Sequence, residues 1–189
     1  MAEEFTDKTI TGEVWQKKDF SGAVFDSCVF KDCILQEAVI IAVEFTGCRF
    51  ENCNMKLAKL SKARIKNAVY IDCKLTGVDF GAVSDFLFSA SFEKCALDFA
   101  GFNRKTMRKT VFKDCVMKEA SFMETDLGGS SFDGCDLSRA LFDRANLSGA
   151  DFRQALNFSI NPDKNIMKKT RFSSTGLAGL LDRFDIIIE

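Results

Sequence analysis

Histidine is absent from this 189-residue chain, which removes the side chain most often used as a general base and metal ligand. A single proline, Pro162, and scattered glycines leave no linker that would divide the chain. No apolar run approaches the ~20 residues of a membrane-spanning helix, and the opening residues lack the pattern of a secretion signal. With 26 Lys and Arg against 27 Asp and Glu, the formal net charge is -1, too small to steer nucleic acid or a basic partner. Neither GxSxG nor a phosphate-binding glycine loop occurs, so no catalytic residues and no cofactor are expected. These absences point to a single cytoplasmic, soluble, non-enzymatic domain, with no direct nucleic-acid contact and no membrane contact.

What the chain does have is a period of five. Phe20, Phe25, Phe30, Leu35, Ile40, Phe45 and Phe50 place a large apolar residue at every fifth position, continuing through Met55, Leu60, Ile65, Tyr70, Leu75 and Phe80. After a slip of two residues the run resumes at Leu87 and Phe92 and reaches Phe152. Two positions before most of these sits a small residue: Ala23, Cys28, Cys33, Ala38, Val43, Cys48, Cys53, Ala58. Five is neither the 3.6 of a helix nor the 2 of a flat strand. A fixed period of this kind marks a solenoid, whose repeats bury their apolar faces only by stacking.

Cysteine reports the number of sides. Cys33, Cys53 and Cys73 are twenty apart, as are Cys95, Cys115 and Cys135, and the slip separates the two sets. The aromatic series Phe30, Phe50, Tyr70, Phe92, Phe112, Phe132 and Phe152 has the same spacing. A three-sided coil of fifteen would scramble both columns, whereas four sides of five stack like on like. All eight cysteines, Cys28 and Cys48 included, fall in the small-residue slot, and none forms a CxxC pair. They read as small buried hydrophobes rather than as disulfides or metal ligands. Outside the wall, Glu93, Lys113, Asp133 and Arg153 alternate in sign along one column, as do Lys31 and Glu51, which predicts solvated ion-pair ladders.

These residues resemble the pentapeptide-repeat family, whose consensus is A(D/N)LXX, and the stretch ALFDRANLSGADF from Ala140 to Phe152 follows it closely. The resemblance implies an all-β solenoid, a right-handed quadrilateral parallel β-helix over residues 20–155. An irregular N-terminal cap over 1–19, kept in phase by Phe5, Ile10 and Trp15, is expected before it. After it, residues 156–189 are expected to hold an irregular coil with a short C-terminal capping helix. Ser173, Ser174 and Thr175 offer N-caps, Leu177, Leu180, Leu181 and Phe184 follow at helical spacing, and Ile186, Ile187 and Ile188 suggest a closing strand. Length, rod and helix together resemble the quinolone-resistance branch that interacts with DNA gyrase and topoisomerase IV, although that branch is more acidic. That resemblance implies a DNA-mimicking protein binder and a homodimer joined through Leu177, Leu180, Leu181 and Phe184. Asp126 and Asp143 are the outward-facing carboxylates best placed for such mimicry.

The alternative is a general protein-interaction scaffold with an unspecified partner, and its candidate surface is the slip within 81–88. With Leu87 in the central slot, Asp85 falls in the small inward slot, and so does Lys105 twenty residues on. Either the two form a buried pair, or the wall bulges and both reach water. The bulge is the simpler expectation, and it would leave Phe86 or Phe88 partly exposed. Lys62 and Arg104 share a column across the slip, as do Lys66 and Arg108, which predicts a basic rim to that surface.

Overall fold

The computed structural model describes residues 3–15, 20–184 and 186–187. Its strands are short and all parallel: β1 (Glu4–Thr6), β2 (Thr9–Thr11), β3 (Val24–Asp26), β4 (Val29–Lys31), β5 (Glu44–Thr46), β6 (Arg49–Glu51), β7 (Arg64–Lys66), β8 (Ala68–Ile71), β9 (Ala90–Glu93), β10 (Val111–Lys113) and β11 (Ser131–Asp133). One sheet runs β1-β3-β5-β7 and the other runs β11-β10-β9-β8-β6-β4-β2. Two further walls are held by single parallel bridges, such as Ile34 to Asn54 to Lys74 and Gly101 to Ser121 to Leu141. The result is a parallel β-solenoid in which every coil hands its backbone hydrogen bonds to the next.

Register confirms the twenty-residue turn. Phe25 pairs with Phe45, Phe30 with Phe50, and Phe112 with Phe132. Across the slip the offset widens, so that Tyr70 pairs with Phe92. The ladder starts earlier than residue 20, because Phe5 pairs with Phe25 and Ile10 with Phe30. It also runs past residue 155, where Asn146 bridges Ile166 and Asp151 bridges Arg171. Of the residues given to the N-terminal cap, 1–2 and 16–19 lie outside the described residues.

Inside the rod, aromatic rings form two long columns and, toward the N-terminal end, a shorter one of Phe5, Phe25 and Phe45. Phe30, Phe50, Tyr70, Phe92, Phe112, Phe132 and Phe152 stack nearly parallel with centroids 4.7–5.2 Å apart. Phe80, Phe102, Phe122 and Phe142 stack at 5.0 Å. Edge-to-face contacts join the columns, as between Phe102 and Phe112 at 5.8 Å. Both geometries suit the ring quadrupole. Coil spacing, set by the backbone ladder, happens to match ring stacking distance, so one repeat satisfies both.

All eight cysteines are buried free thiols. All but Cys135 donate from Sγ to a carbonyl one coil below, as from Cys53 to Phe30 at 3.4 Å and from Cys73 to Phe50 at 3.4 Å. Burial pushes the Cys48 thiol up to about 12. The adjoining thiol of Cys53, together with burial, also pushes Cys33 up. The Cys33 and Cys48 thiols therefore stay protonated at neutral pH and make poor nucleophiles.

At the C-terminal end Phe172 stacks on Phe152 at 5.4 Å and closes the column. Ser173 caps the following turn, its Oγ accepting from the Gly176 N–H at 3.1 Å. The short capping helix is present and is built as two 3-10 stretches, Ser174–Leu180 and Asp182–Phe184, rather than as one α-helical run. Gly176 and Gly179 explain the difference. Glycine weakens an α-helix, and here Gly179 lies against the carbonyl of Phe158 with no room for a Cβ. Ile186 and Ile187 form no strand, and Ile188 lies outside the described residues.

Candidate partner-binding surface

The slip is where the regular wall is interrupted. A 3-10 turn, Phe80–Ala82, follows Asp79, whose carboxylate accepts from the Gly81 N–H at 2.8 Å. Val83 then points inward and is buried. Ser84 donates its N–H to the Ala63 carbonyl at 2.8 Å, and Ser89 donates to the Ile65 carbonyl at 3.1 Å. In the coil below, Ala63 and Ile65 are two residues apart; here Ser84 and Ser89 are five apart, so the segment between them must arch outward. The arch is closed by the Phe88 N–H donating to the Asp85 carbonyl at 3.3 Å. Ser89 Oγ also ties the segment down, accepting from the Asn67 N–H at 2.8 Å.

This arrangement corrects the sequence reading in two respects. Phe88, not Leu87, turns into the rod, where its ring lies 6.4 Å from that of Phe80. Leu87 sits at φ 57 on the outer turn and is 55% exposed, beside Phe86 at 70%. Asp85 does reach water, but Lys105 does not: its side chain is 1% exposed against 75% for Asp85. Lys105 Nζ donates to Asp85 Oδ1 at 2.6 Å and to the Val83 carbonyl. It also lies 5.5 Å from the Phe88 ring centroid. The five-residue phase places Leu87 inward because it takes both extra residues to come before it. The chain instead takes one more residue into the arch, and the long lysine stem fills the space left behind.

Of the four cations flanking the arch, two are already engaged. Arg104 pairs with Glu124 at 3.1 Å, and Arg108 with Asp126 at 2.6 Å. Lys62, whose N–H donates to the Ala82 carbonyl, and Lys66 in β7 form no ion pair among the described residues. The basic rim therefore reduces to two free lysines on the N-terminal side of the arch.

Toward the C-terminal end the carboxylates are neutralised in place. Asp126 accepts from Arg108, from Asn146 Nδ2 at 2.9 Å and from the Gly128 N–H at 3.1 Å. Asp143 lies 3.7 Å from Arg144 and 3.8 Å from Lys164. Arg153 beside Asp151 holds that carboxyl below the usual carboxylate range, and Lys113 does the same for Glu93. Of the column Glu93, Lys113, Asp133, Arg153, only the first pair closes, at 3.0 Å, because Arg153 turns to Asp151 at 2.7 Å. Lys31 and Glu51 do pair, at 3.1 Å. At the cap, Leu180 packs against the core and Leu181 is half-buried, while Leu177 and Phe184 are 48% and 52% exposed.

Among the described residues, no group of three or more His, Cys, Asp or Glu is placed to hold a metal, and no helix is long and apolar enough to cross a membrane. The sequence matches the family described as Pentapeptide repeats (8 copies) over residues 33–69 and the Pentapeptide repeat region family over 86–161. No protein of curated function matches it by sequence. In fold it is similar to two trypsin-treated variants of QnrB1, a plasmid-mediated fluoroquinolone resistance protein. For the first, the TM-score is 0.73 at 16% identity, with 100% of this chain and 98% of the other covered. For the second, the TM-score is 0.64 at 17% identity, with 98% and 100% covered.

Proposed function

This chain is a pentapeptide-repeat protein, and from that premise we propose that it acts by binding another protein rather than by catalysis. The observation that carries the reading is the arch at 84–89, where Phe86 and Leu87, 70% and 55% exposed, stand side by side in solvent on the stretch that interrupts the wall. The regular walls also expose apolar residues, such as Phe99 and Leu141, but without an irregular backbone to present them. Exposed apolar side chains on an irregular segment of a rigid scaffold are the usual mark of a contact surface. In the shallow grooves of the exterior, Asp151 and Glu124 are held in ion pairs with Arg153 and with Arg104 and Arg144 rather than set apart for acid and base work.

DNA gyrase or topoisomerase IV is the partner to test first. The fold of a fluoroquinolone resistance protein extends over the whole of this chain, cap included. In this reading the rod docks on the enzyme and protects it from quinolones. Two surfaces are available for that docking: the arch, and the Asp126 and Asp143 carboxylates as DNA mimics. The ion pairs that Arg108, Arg144 and Lys164 make with those carboxylates favour the arch. A gyrase supercoiling assay, with and without quinolone, separates the alternatives. Micromolar protein is expected to change supercoiling or its sensitivity to the drug. Loss of the effect in Phe86→Ser with Leu87→Ser assigns it to the arch, and loss in Asp126→Asn with Asp143→Asn assigns it to mimicry. No effect from the unaltered protein overturns the topoisomerase reading and leaves a scaffold for a different protein.

The exposed Leu177 and Phe184, with Leu180 and Leu181 behind them, are proposed as the joint of a tail-to-tail homodimer. Sedimentation equilibrium is expected to give twice the chain mass and to revert to one in Leu177→Asp; a monomer at every concentration overturns this.

A further inference from the structure

Lys105 is the one charged residue among the described buried side chains; the other buried polar residues are Thr110, Thr125 and Ser130. It occupies an inward slot that small residues fill in the following coils, Thr125 and Ala145, both buried. An ammonium group in that position must find partners or be expelled. It finds three: the Val83 carbonyl, Asp85 Oδ1 at 2.6 Å and the face of Phe88. Two of them, Asp85 and Phe88, belong to the inserted segment, and the third, the Val83 carbonyl, immediately precedes it. Ser84 and Ser89 fasten the ends of that segment to the coil below, at Ala63 and Ile65. Lys105 fastens its middle to the coil above. Between these anchors stand Phe86 and Leu87, exposed, while the Asp85 carboxylate is spent on Lys105 and leaves Lys62 and Lys66 as the free charges nearby.

We propose that Lys105 is a positioning residue, an internal post that holds residues 84–89 in one conformation and presents Phe86 and Leu87 as a preformed ridge for an apolar socket rimmed by carboxylates on a partner protein. The partner's chemistry rests on the protein-binding reading above; the post itself does not. A segment fixed before binding loses less freedom when it docks, which is the gain such a post supplies. Substitution to alanine would restore the kind of residue the slot holds elsewhere, so the rod should survive while the ridge loosens.

Limited chymotrypsin digestion of the full chain tests the post, since Phe86 and Leu87 are themselves cleavage sites. The unaltered protein is expected to resist cutting there. Lys105→Met, which keeps the stem and drops the charge, is expected to be cut there at least about tenfold faster, as local opening becomes easier. Hydrogen exchange at the aromatic columns should stay as slow as before. Asp85→Asn, a surface change with no burden on the core, should be cut at an intermediate rate and serves if Lys105→Met fails to fold. The double variant should be cut no faster than Lys105→Met alone, because one link has one strength. Equal cutting of the unaltered protein and both single variants overturns the post. In the supercoiling assay, a loosened ridge should weaken any gyrase effect together with Phe86→Ser; a Lys105→Met protein that is cut rapidly yet acts on gyrase undiminished overturns the ridge as the contact. A protein without any gyrase effect fails the topoisomerase reading alone, and the digestion result still decides the post.

Discussion

Phe112→Ala is expected to cost about 3–5 kcal/mol and to lower the melting midpoint by roughly 10 °C. Phe112 is fully buried, with Phe92 stacked on one face at 5.2 Å and Phe132 on the other at 5.0 Å. Phe102 and Phe122 meet it edge-on at 5.8 and 6.0 Å. Alanine would remove the ring from four contacts at once and open a cavity that the rungs cannot close. Those rungs are held at their spacing by the bonds of β9, β10 and β11, so the hole cannot collapse. Phe172, half-buried at the end of the same column with one ring stacked on it, is the control, and its alanine variant should lose about half as much or less. Thermal melts followed by circular dichroism decide the matter. Equal losses at the two sites would mean that stacking within the column contributes little.

Tyr70→Phe is expected to do the opposite and raise the midpoint by about 2–4 °C, corresponding to ~1 kcal/mol. Tyr70 is the sole tyrosine of the chain and stands where the column otherwise uses phenylalanine. Its ring stacks between Phe50 at 4.8 Å and Phe92 at 5.2 Å, so the aromatic contribution is already complete. Its hydroxyl is buried without a hydrogen-bond partner, and burial drives its ionisation well above the ordinary tyrosine range. Removing the oxygen keeps the stack and deletes a desolvated polar group, the kind of change that stabilises rather than weakens. A lower midpoint would show that the hydroxyl is satisfied in solution, for instance by a trapped water.

Much of this fold is legible in the residues because each wall repeats one simple rule. Phe30, Phe50, Phe112 and Phe132 recur at the coil length, so the sequence spacing is already the strand register. Cys33, Cys53 and Cys73 could be placed inside for the same reason. The rule fails where the repeat does. Nothing in the local pattern says whether Leu87 or Phe88 turns inward, since the choice depends on where two surplus residues are absorbed and on a lysine one coil later. Lys105 carries a signal, a charge in a slot meant for alanine, but the period does not say whether such a side chain bends out or is held within. The cap fails differently. Leu177, Leu180, Leu181 and Phe184 have helical spacing, yet Gly179 is pressed against Phe158 and the turn tightens to 3-10. Asp126 and Asp143 could be placed outside, whereas their neutralisation depends on the rotamers of Arg108 and Arg144, which spacing does not encode.

The pairing of charges along the exterior has a kinetic consequence. Glu44 with Arg64, Glu119 with Arg139, Glu124 with Arg104 and Arg144, and Asp126 with Arg108 each place opposite signs within a few ångströms, and the whole chain carries a net charge of only -1. Fields from such close dipoles die away well inside the ~8 Å screening length of physiological salt. A partner approaching the rod is therefore not drawn in from a distance. Its association should proceed at the unsteered pace of about 10⁵–10⁶ M⁻¹s⁻¹ and change little with ionic strength, so that the lifetime of the complex, set by contacts made only on arrival, decides how tightly it is held.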